Sequence, residues 1–316
     1  MDLSEEELLV AIRRVFGGSA PQVLVGPGDD AAVASAGTGD LVLTTDALVE
    51  GVHFVRDLTT PRDLGYKAIA VNVSDVAAMA ASPRYAVCSL TLSEDVDSAW
   101  VIELAGGMRE CCDEFALSLV GGNLARGRDV TIAVTVTGEV GPGRAVLRDG
   151  GRPGHRLVVT GSLGGAAAGL RLASQRSWTD DERQALRRHV RPTPRVGEAG
   201  VLASHGASAM IDVSDGLALD LSRLCGASGA GARVELSRIP IHPAATLAEA
   251  LTGGEDYELL AALPSADAVA AARRQLADAF GVPLAEIGGI IEEGLVAVDE
   301  HGDERPLEAE GWDHFR

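Results

Sequence analysis

The sequence predicts a two-domain α/β protein with α+β layering, and three observations lead there. The chain has 316 residues, enough for two domains of ordinary size, and 46% of them are hydrophobic, enough to fill a core. Apolar runs of strand length alternate with longer helical patterns from end to end, which argues for strands layered against helices. Between the halves lies GPGRAVLRDGGRPG (141–154), whose glycines, prolines and arginines read as a junction. The expected domains are residues 1–147 and 148–316.

Taken in order, MDLSEEELLVAIRRVF (1–16) reads as an amphipathic helix. Its acidic start lacks the basic residues and apolar centre of a signal peptide. Strands are expected at Leu41–Thr45, Tyr85–Leu92 and Val130–Val140, and helices near Pro61–Ala81 and Ser98–Phe115. Beyond the junction, RLVVTG (156–161) reads as a strand and GGAAAGLRLA (164–173) as a helix. AMIDVSDGLALDLSRL (209–224) reads as a strand or turn entering a helix. ELLAAL (258–263) is a strand, Asp267–Phe280 a helix and LVAVD (295–299) a strand. Each half pairs an acidic patch with a following helix, as a shared architecture would.

The formal net charge is −19, and a diffuse negative field disfavours nucleic acid and anionic membrane as partners. An anionic small molecule still binds where metal ions reverse the local sign. Cys88, Cys111, Cys112 and Cys225 form no CxxC pair, which argues against a zinc site or a disulfide scaffold. No uninterrupted apolar run is long enough to span a bilayer. The expected location is the cytoplasm.

Acidic residues gather in five short patches at apolar edges and beside glycines. These are GPGDDAAV (26–33), TTDALVEGVHF (44–54), NVSDV (72–76), IDVSDG (211–216) and GGEDYELL (253–260). Carboxylates so placed repel one another and lose hydration, and a shared cation relieves both. Hard oxygen ligands suit magnesium, which bridges protein carboxylates to substrate phosphate. Phosphoryl chemistry on a nucleotide is therefore the first reading.

Each patch also has a plain structural reading. Asp30 is either part of a solvated turn or a metal ligand approached closely by the glycine backbone. Asp46 ends an apolar strand, where α/β proteins place ligands, or terminates it in an ordinary turn. His53 is either a neutral core histidine or, when protonated, a donor to phosphate. The helix carrying Asn72 and Asp75 is apolar nearly all round and so expected to be buried; the two residues share a face. A buried, unpaired aspartate is costly, which favours a metal role for Asp75 over satisfaction by backbone and Asn72. Gly121–Asn123 offers a close main-chain approach to phosphate or ribose, or is a plain turn. Ser214 suits an N-cap, leaving Asp212 and Asp215 to hold cations at a helix N-terminus. Gly161–Gly165 lacks the Lys-Ser/Thr of a phosphate loop and reads as a strand-to-helix turn. No dinucleotide fingerprint or Ser/His/Asp elbow is present.

GDDAAV, LTTDALVEGVHF, GYKAIAVNVSDVAAMAASP, GGN, GEV, RDGGRPGH, RPTPR, IDVSDGL, GGEDYELL and the closing GWDHF together resemble the thiamine-monophosphate kinase family. That family lies within the superfamily of aminoimidazole ribonucleotide synthetase and selenophosphate synthetase. The match runs almost end to end, and GGEDYELL with GWDHF points to this family within the superfamily. The resemblance implies a synthetase-like fold whose N-terminal mixed sheet pairs with that of a second subunit in a homodimer. It implies a C-terminal α/β domain, with ATP held in a cleft between the two domains. It also implies transfer of the ATP γ-phosphate to thiamine monophosphate, with several magnesium ions.

Carried over by motif, Asp30, Asp46, Asp75, Asp212 and Asp215 correspond to magnesium ligands, with Thr44 or Thr45 assisting. Asp75, Asp212 and Asp215 are the catalytic set. Gly122, Asn123, Arg148 and Ser214 correspond to ATP contacts, and His53, Glu255 and Trp312 to substrate contacts. Two departures stand out. Many relatives carry Asp where this chain has Asn123, an oxygen without charge. An aromatic residue often placed near the adenine is replaced by Ala105 and Gly106. The acceptor phosphate, with a second pKa of about 6, is already mostly ionised and needs no general base, so direct in-line transfer is expected. The alternatives are another ATP-dependent synthetase of the superfamily and a catalytically silent nucleotide-binding dimer.

Overall fold

Apolar alternation and helical periodicity are realised in two units, seen in a computed structural model that describes residues 3–16, 21–25 and 31–312. The first unit comprises residues 1–76 and 81–143, the second residues 77–80 and 144–316.

The first unit runs α1 (Glu5–Phe16), β1 (Val23–Val25), β2 (Val33–Ala34), β3 (Asp40–Val49), α2 (Pro61–Ala78), β4 (Ser82–Leu92), α3 (Ser98–Glu114), β5 (Ser118–Arg126) and β6 (Thr131–Val140). β1 and β2 form a small antiparallel pair. The other four strands form a mixed sheet in the order β3-β6-β4-β5, with β4 and β5 parallel. Strand alternation gives that sheet two unlike faces. Ile132, Val134 and Val136 are fully buried on one, while Leu41, Leu43 and Val87 stand exposed on the other. α2 is buried from Leu64 to Ala78 except at one residue, Asp75, which is half-buried. Its all-round apolar sequence is the reason.

The second unit runs β7 (Arg156–Thr160), α4 (Gly165–Leu172), α5 (Asp180–Val190), α6 (Val196–Ser204), β8 (Ala209–Asp212), α7 (Leu217–Ser228), β9 (Gly231–Glu235), α8 (Leu247–Thr252), β10 (Leu259–Leu263), α9 (Ala266–Phe280), β11 (Leu284–Ile291), β12 (Leu295–Val298) and β13 (Glu304–Pro306). Its seven strands lie in the order β13-β12-β9-β11-β7-β10-β8, and only β12 with β9 is parallel. β7, β8 and β10 are buried on both faces. Leu157, Ile211 and Leu260 pack with Leu217, Leu221 and Leu224 of α7 on one side. Val158, Met210 and Leu259 pack with Leu202 of α6 and Leu276 of α9 on the other. Strands covered on both faces read as continuous apolar runs, which is how RLVVTG and ELLAAL stand out in the sequence.

Three expectations change. Gly121–Asn123 lies inside β5 and is not a turn. The helix over Pro61–Ala81 stops at Ala78, because Ala80 takes a left-handed φ of 55°. Ser214 is not the N-cap of α7: that position is Gly216, which has no side-chain cap. None of the four cysteines forms a disulfide, and all are buried. Burial pushes the Cys88 and Cys112 thiols up to about 12 and Cys225 up to about 11, so none of these three is a nucleophile near neutral pH. Among the described residues no helix is long and apolar enough to cross a membrane.

Candidate active site

The first unit places a hydroxyl and two carboxylates where β3 runs past α2. Alternation along β3 puts Thr44 and Asp46 on one face and Thr45 on the other. Thr44 Oγ1 donates to Asp75 Oδ2 at 2.5 Å. Thr45 Oγ1 instead donates to the Val134 carbonyl and accepts from Thr135. Of the two threonines, then, Thr44 is the one brought to Asp75. Asp75 is half-buried and hydrogen-bonded, which revises the expectation of a buried, unpaired carboxylate.

One turn earlier in α2, Asn72 is fully buried, and its Nδ2 donates to the Ala68 carbonyl at 3.1 Å. That bond fixes the amide orientation and leaves Oδ1 without a hydrogen-bond partner. A buried acceptor of this kind is satisfied by a bound water or cation.

The turn after β3 is held by Glu50, which accepts from Val130 N at 3.1 Å and from Arg56 Nε at 2.5 Å. His53 folds back so that its Nδ1 accepts from Val49 N at 3.1 Å. An Nδ1 that accepts carries no proton, so in the neutral ring the proton is on Nε2. His53 can therefore donate from Nε2 without first becoming cationic. Asp30 lies outside the described residues.

β5 carries Gly122 and Asn123 along the edge of the sheet. A Cβ on Gly122 would meet the Cys88 carbonyl at 2.2 Å, so close strand approach requires glycine here. A cavity of about 1050 Å³ opens beside this strand, lined by Gly122 and Asn123 and by Val101, Leu104, Ala105 and Met108 of α3. Its apolar α3 wall suits a flat heterocycle, and Ala105 is part of that wall.

In the second unit Asp212 ends β8 and is 2% exposed. The turn that follows is organised by Asp220, a fully buried residue on α7. Asp220 Oδ2 accepts from Ser214 N at 3.1 Å and from Asp215 N at 2.9 Å, doing the work expected of a capping serine. Arg223 Nη1 joins the arrangement, donating to Asp215 Oδ2 at 2.5 Å and Asp220 Oδ1 at 2.7 Å. Burial raises the Asp220 pKa, against the pull of the Asp215 backbone and Arg223. Gly216, at φ +118°, sits against the Thr252 backbone, where any Cβ would collide. Trp312, 47% exposed, donates its backbone N–H to the Asp215 carbonyl at 2.9 Å. Arg148 has an exposed side chain, while its carbonyl accepts from Ser228.

Gly253–Leu260 runs alongside this turn, with Glu255 N donating to Ser214 O at 2.7 Å and Tyr257 N to Val213 O at 2.9 Å. Glu255 and Tyr257 have left-handed φ values of +70° and +51°, uncommon for residues with a Cβ. Such strain costs about 1–3 kcal/mol per residue and persists where surrounding contacts impose it. Those contacts are three carboxylate grips. Asp256 accepts from Gly164 N at 2.5 Å and Ala166 N at 3.1 Å, occupying the start of α4. Burial pushes Asp256 up to about 7 despite those donors. Glu258, 1% exposed, accepts from Arg195 through Nε and Nη2 at 2.7 Å each, from Thr160 at 2.8 Å and from Arg188 at 3.2 Å. Glu255 Oε2 lies 3.2 Å from His189 Nδ1.

Residues 28–140 match the AIR synthase related protein N-terminal domain, and residues 152–300 match the corresponding C-terminal domain. The thiamine-monophosphate kinase of Escherichia coli K12 is 38% identical over 309 residues, covering 93% of this chain and 92% of that protein. The enzyme of that name from Mycobacterium tuberculosis H37Rv is 39% identical over 269 residues, covering 81% and 80%. The chain belongs to the thiamine-monophosphate kinase family.

Solved structures of the family share the fold. The thiamine-monophosphate kinase of Stenotrophomonas maltophilia superposes with a TM-score of 0.83 at 35% identity, covering 94% of this chain and 97% of that one. AaThiL in complex with AMPPCP and TMP gives 0.78 at 32% identity, covering 99% and 98%. Escherichia coli HypE, at 19% identity and a TM-score of 0.80, shares the fold alone.

Against the family motifs, the structure brings Thr44 to Asp75, and Ser214, Asp215, Glu255 and Trp312 to one stretch of backbone. Four residues that shape this stretch, Asp220, Arg223, Asp256 and His189, are not among the sequence candidates. Asp220 carries the signal that singles out Asp75: a carboxylate within a helix of buried apolar residues. The donors at Thr44, Asp46 and Asp75 are hard oxygens of the type magnesium takes. Among the described residues no three His, Cys, Asp or Glu side chains are grouped closely enough to hold a metal ion. Magnesium would draw its remaining ligands from phosphate and water, as it commonly does.

Proposed function

We propose that the protein transfers the γ-phosphoryl group of ATP to thiamine monophosphate, giving thiamine diphosphate and ADP by direct in-line displacement. The observation that carries this reading is the near end-to-end similarity to thiamine-monophosphate kinases, including AaThiL complexed with AMPPCP and TMP. The phosphate monoester acceptor is itself the nucleophile, so the site needs oxygen ligands and positioning groups more than a general base. Magnesium, when bound by Asp46 and Asp75 with Thr44 in the first unit and by Asp212 and Asp215 in the second, supplies charge neutralisation between the two anionic esters. Asp30 completes this set by motif.

Gly122 and Asn123 hold the nucleotide at β5, with the α3 wall of the cavity receiving the base; Ser214 and Arg148 are further ATP contacts. His53 donates Nε2–H to the acceptor phosphate, and Glu255 contacts the substrate. Trp312 offers a half-exposed π face to the cationic thiazolium. In Trp312→Ala the KM for thiamine monophosphate rises more than that for ATP; equal effects remove the stacking role.

A second copy of the chain covers the exposed face bearing Leu41, Leu43 and Val87, giving a homodimer. Sedimentation of the purified chain at micromolar concentration tests this, and a monomeric mass overturns it. The decisive experiment for the activity incubates the protein with ATP, magnesium and thiamine monophosphate and analyses products by mass. Thiamine diphosphate with equimolar ADP is expected. ADP release without thiamine diphosphate, or dependent on another acceptor, overturns the reading.

A further inference from the structure

Arg195 and Arg223 both hold carboxylates in the second unit, and they hold them differently. Arg195 offers Nε and Nη2 to Glu258 at 2.7 Å each, in a pair whose side chains are 12% and 1% exposed. Arg223 reaches Asp215 Oδ2 at 2.5 Å and Asp220 Oδ1 at 2.7 Å with one nitrogen, Nη1, and its side chain is 40% exposed. A two-pronged pair is stronger than a contact through one nitrogen, and exposure to water weakens the pair further. The two ends of the Arg223 grip are also unequal. Asp220 is fully buried, three residues away on the same face of α7, and pinned by the Ser214 and Asp215 amides. Asp215 lies ahead of α7 with a side chain 23% exposed. The guanidinium therefore sits at the N-terminal end of α7, where the helix dipole repels a cation. Releasing Asp215 leaves Arg223 anchored on Asp220 and opens an oxygen of a motif carboxylate.

We propose that Arg223 is a displaceable counter-ion that sets the metal affinity of Asp215: a divalent cation binds there by moving the guanidinium onto Asp220 alone. The inference rests on Asp215 being a magnesium ligand, as proposed above. It assigns control of that ligand to a residue outside the motifs that carry the family resemblance. The competition favours metal that arrives with ATP over metal alone. ATP brings phosphate ligands for magnesium, and its charge also attracts the released guanidinium.

The test titrates Mn2+, which takes the same hard oxygen ligands, into the full chain without nucleotide and follows binding by calorimetry and electron paramagnetic resonance. Two neutral replacements, Arg223→Gln and Arg223→Met, should each tighten Mn2+ binding about tenfold, the scale of removing one competing charge from a partly exposed site. Arg223→Lys, which keeps a charge, should stay within about threefold of wild type. In an Asp215→Asn background Arg223→Gln should change nothing. Arg233, 41% exposed and paired with Glu235 and Glu304, controls for the general field of the protein. Arg233→Gln should leave Mn2+ binding within about twofold of wild type. Thermal melts give a second reading: magnesium alone should raise the melting temperature of Arg223→Gln more than that of wild type. Unchanged or weaker Mn2+ binding in both neutral variants, an equal gain in Arg233→Gln, or a gain that survives Asp215→Asn overturns the inference. If Asp215→Asn leaves magnesium-dependent turnover at the wild-type level, the ligand role of Asp215 fails and the inference falls with it. If Asp215→Asn cuts turnover and the neutral variants do not tighten Mn2+ binding, the ligand role stands and the inference alone is overturned.

Discussion

Asp75 in the first unit accepts from the neutral hydroxyl of Thr44, whereas Asp215, Asp220, Glu255 and Glu258 in the second each face an arginine or a histidine. The difference sorts the carboxylates by use. The Thr44 hydroxyl orients Asp75 Oδ2 without adding a charge of its own, in keeping with the cation-binding role proposed for Asp75. An arginine both orients and neutralises, so Glu258 serves mainly to hold the loop that carries Glu255. Asp215 lies between these cases. Its Arg223 partner is also shared with Asp220, so a cation at Asp215 competes with a charge already in place.

Substitution breaks the comparison most sharply at its two ends. Asp75→Asn removes charge while keeping shape and the hydrogen bond to Thr44. Turnover should fall by about 10³-fold or more, the scale of lost transition-state charge stabilisation. Circular dichroism and the melting temperature should stay close to wild type. A wild-type rate would make Asp75 structural. Glu258→Gln should do the reverse. It removes the charge that Arg188 and Arg195 share, leaving Arg195 with Glu198 and Arg188 with the Ser162 carbonyl, and should cost about 3 kcal/mol of stability, read from urea midpoints. A loss of activity without a loss of stability would move Glu258 into the chemistry.

A pH-dependent effect distinguishes Asp256 from both. Its folded pKa of about 7 stands above its ordinary value of 3.8, so the folded state holds the proton more tightly. The sign follows from linkage: this contribution to stability is full below about pH 4 and is lost as pH rises through about 7. Asp256→Asn abolishes the titration. The wild-type minus variant stability should therefore decline between about pH 4 and 7 and level off above, measured by melts in stepped buffers. A difference independent of pH would place the charge of Asp256 under the control of its Gly164 and Ala166 donors instead.

Local pattern exposed much of the architecture. The strands at 41–45, 85–92 and 130–140 announce themselves through apolar, β-branched runs, and α2 through its uninterrupted apolar face. β5 is hidden because Gly121 and Gly122 break the strand pattern, and the bulge opposite Ala86 and Val87 shifts its register. α5 is hidden because DDERQALRRHV has almost no apolar stripe, yet Thr179 and Glu182 form a capping box that announces its start. Among the candidate residues, the motifs name Asp75, Asp212, Asp215 and Glu255 but say nothing of what holds them.

What the chain determined by itself is therefore the layered α/β plan, the acidic patches and the family to which they belong, since each is written in windows of a dozen residues. The choice of Thr44 over Thr45 beside Asp75, the turn built by Asp220, and the grips of Arg188, Arg195 and His189 belong to the tertiary structure. Arg188 and Arg195 stand 70 and 63 residues from Glu258 in the chain. No local period encodes such a pairing; it exists because folding removes these charges from water and leaves them each other as partners.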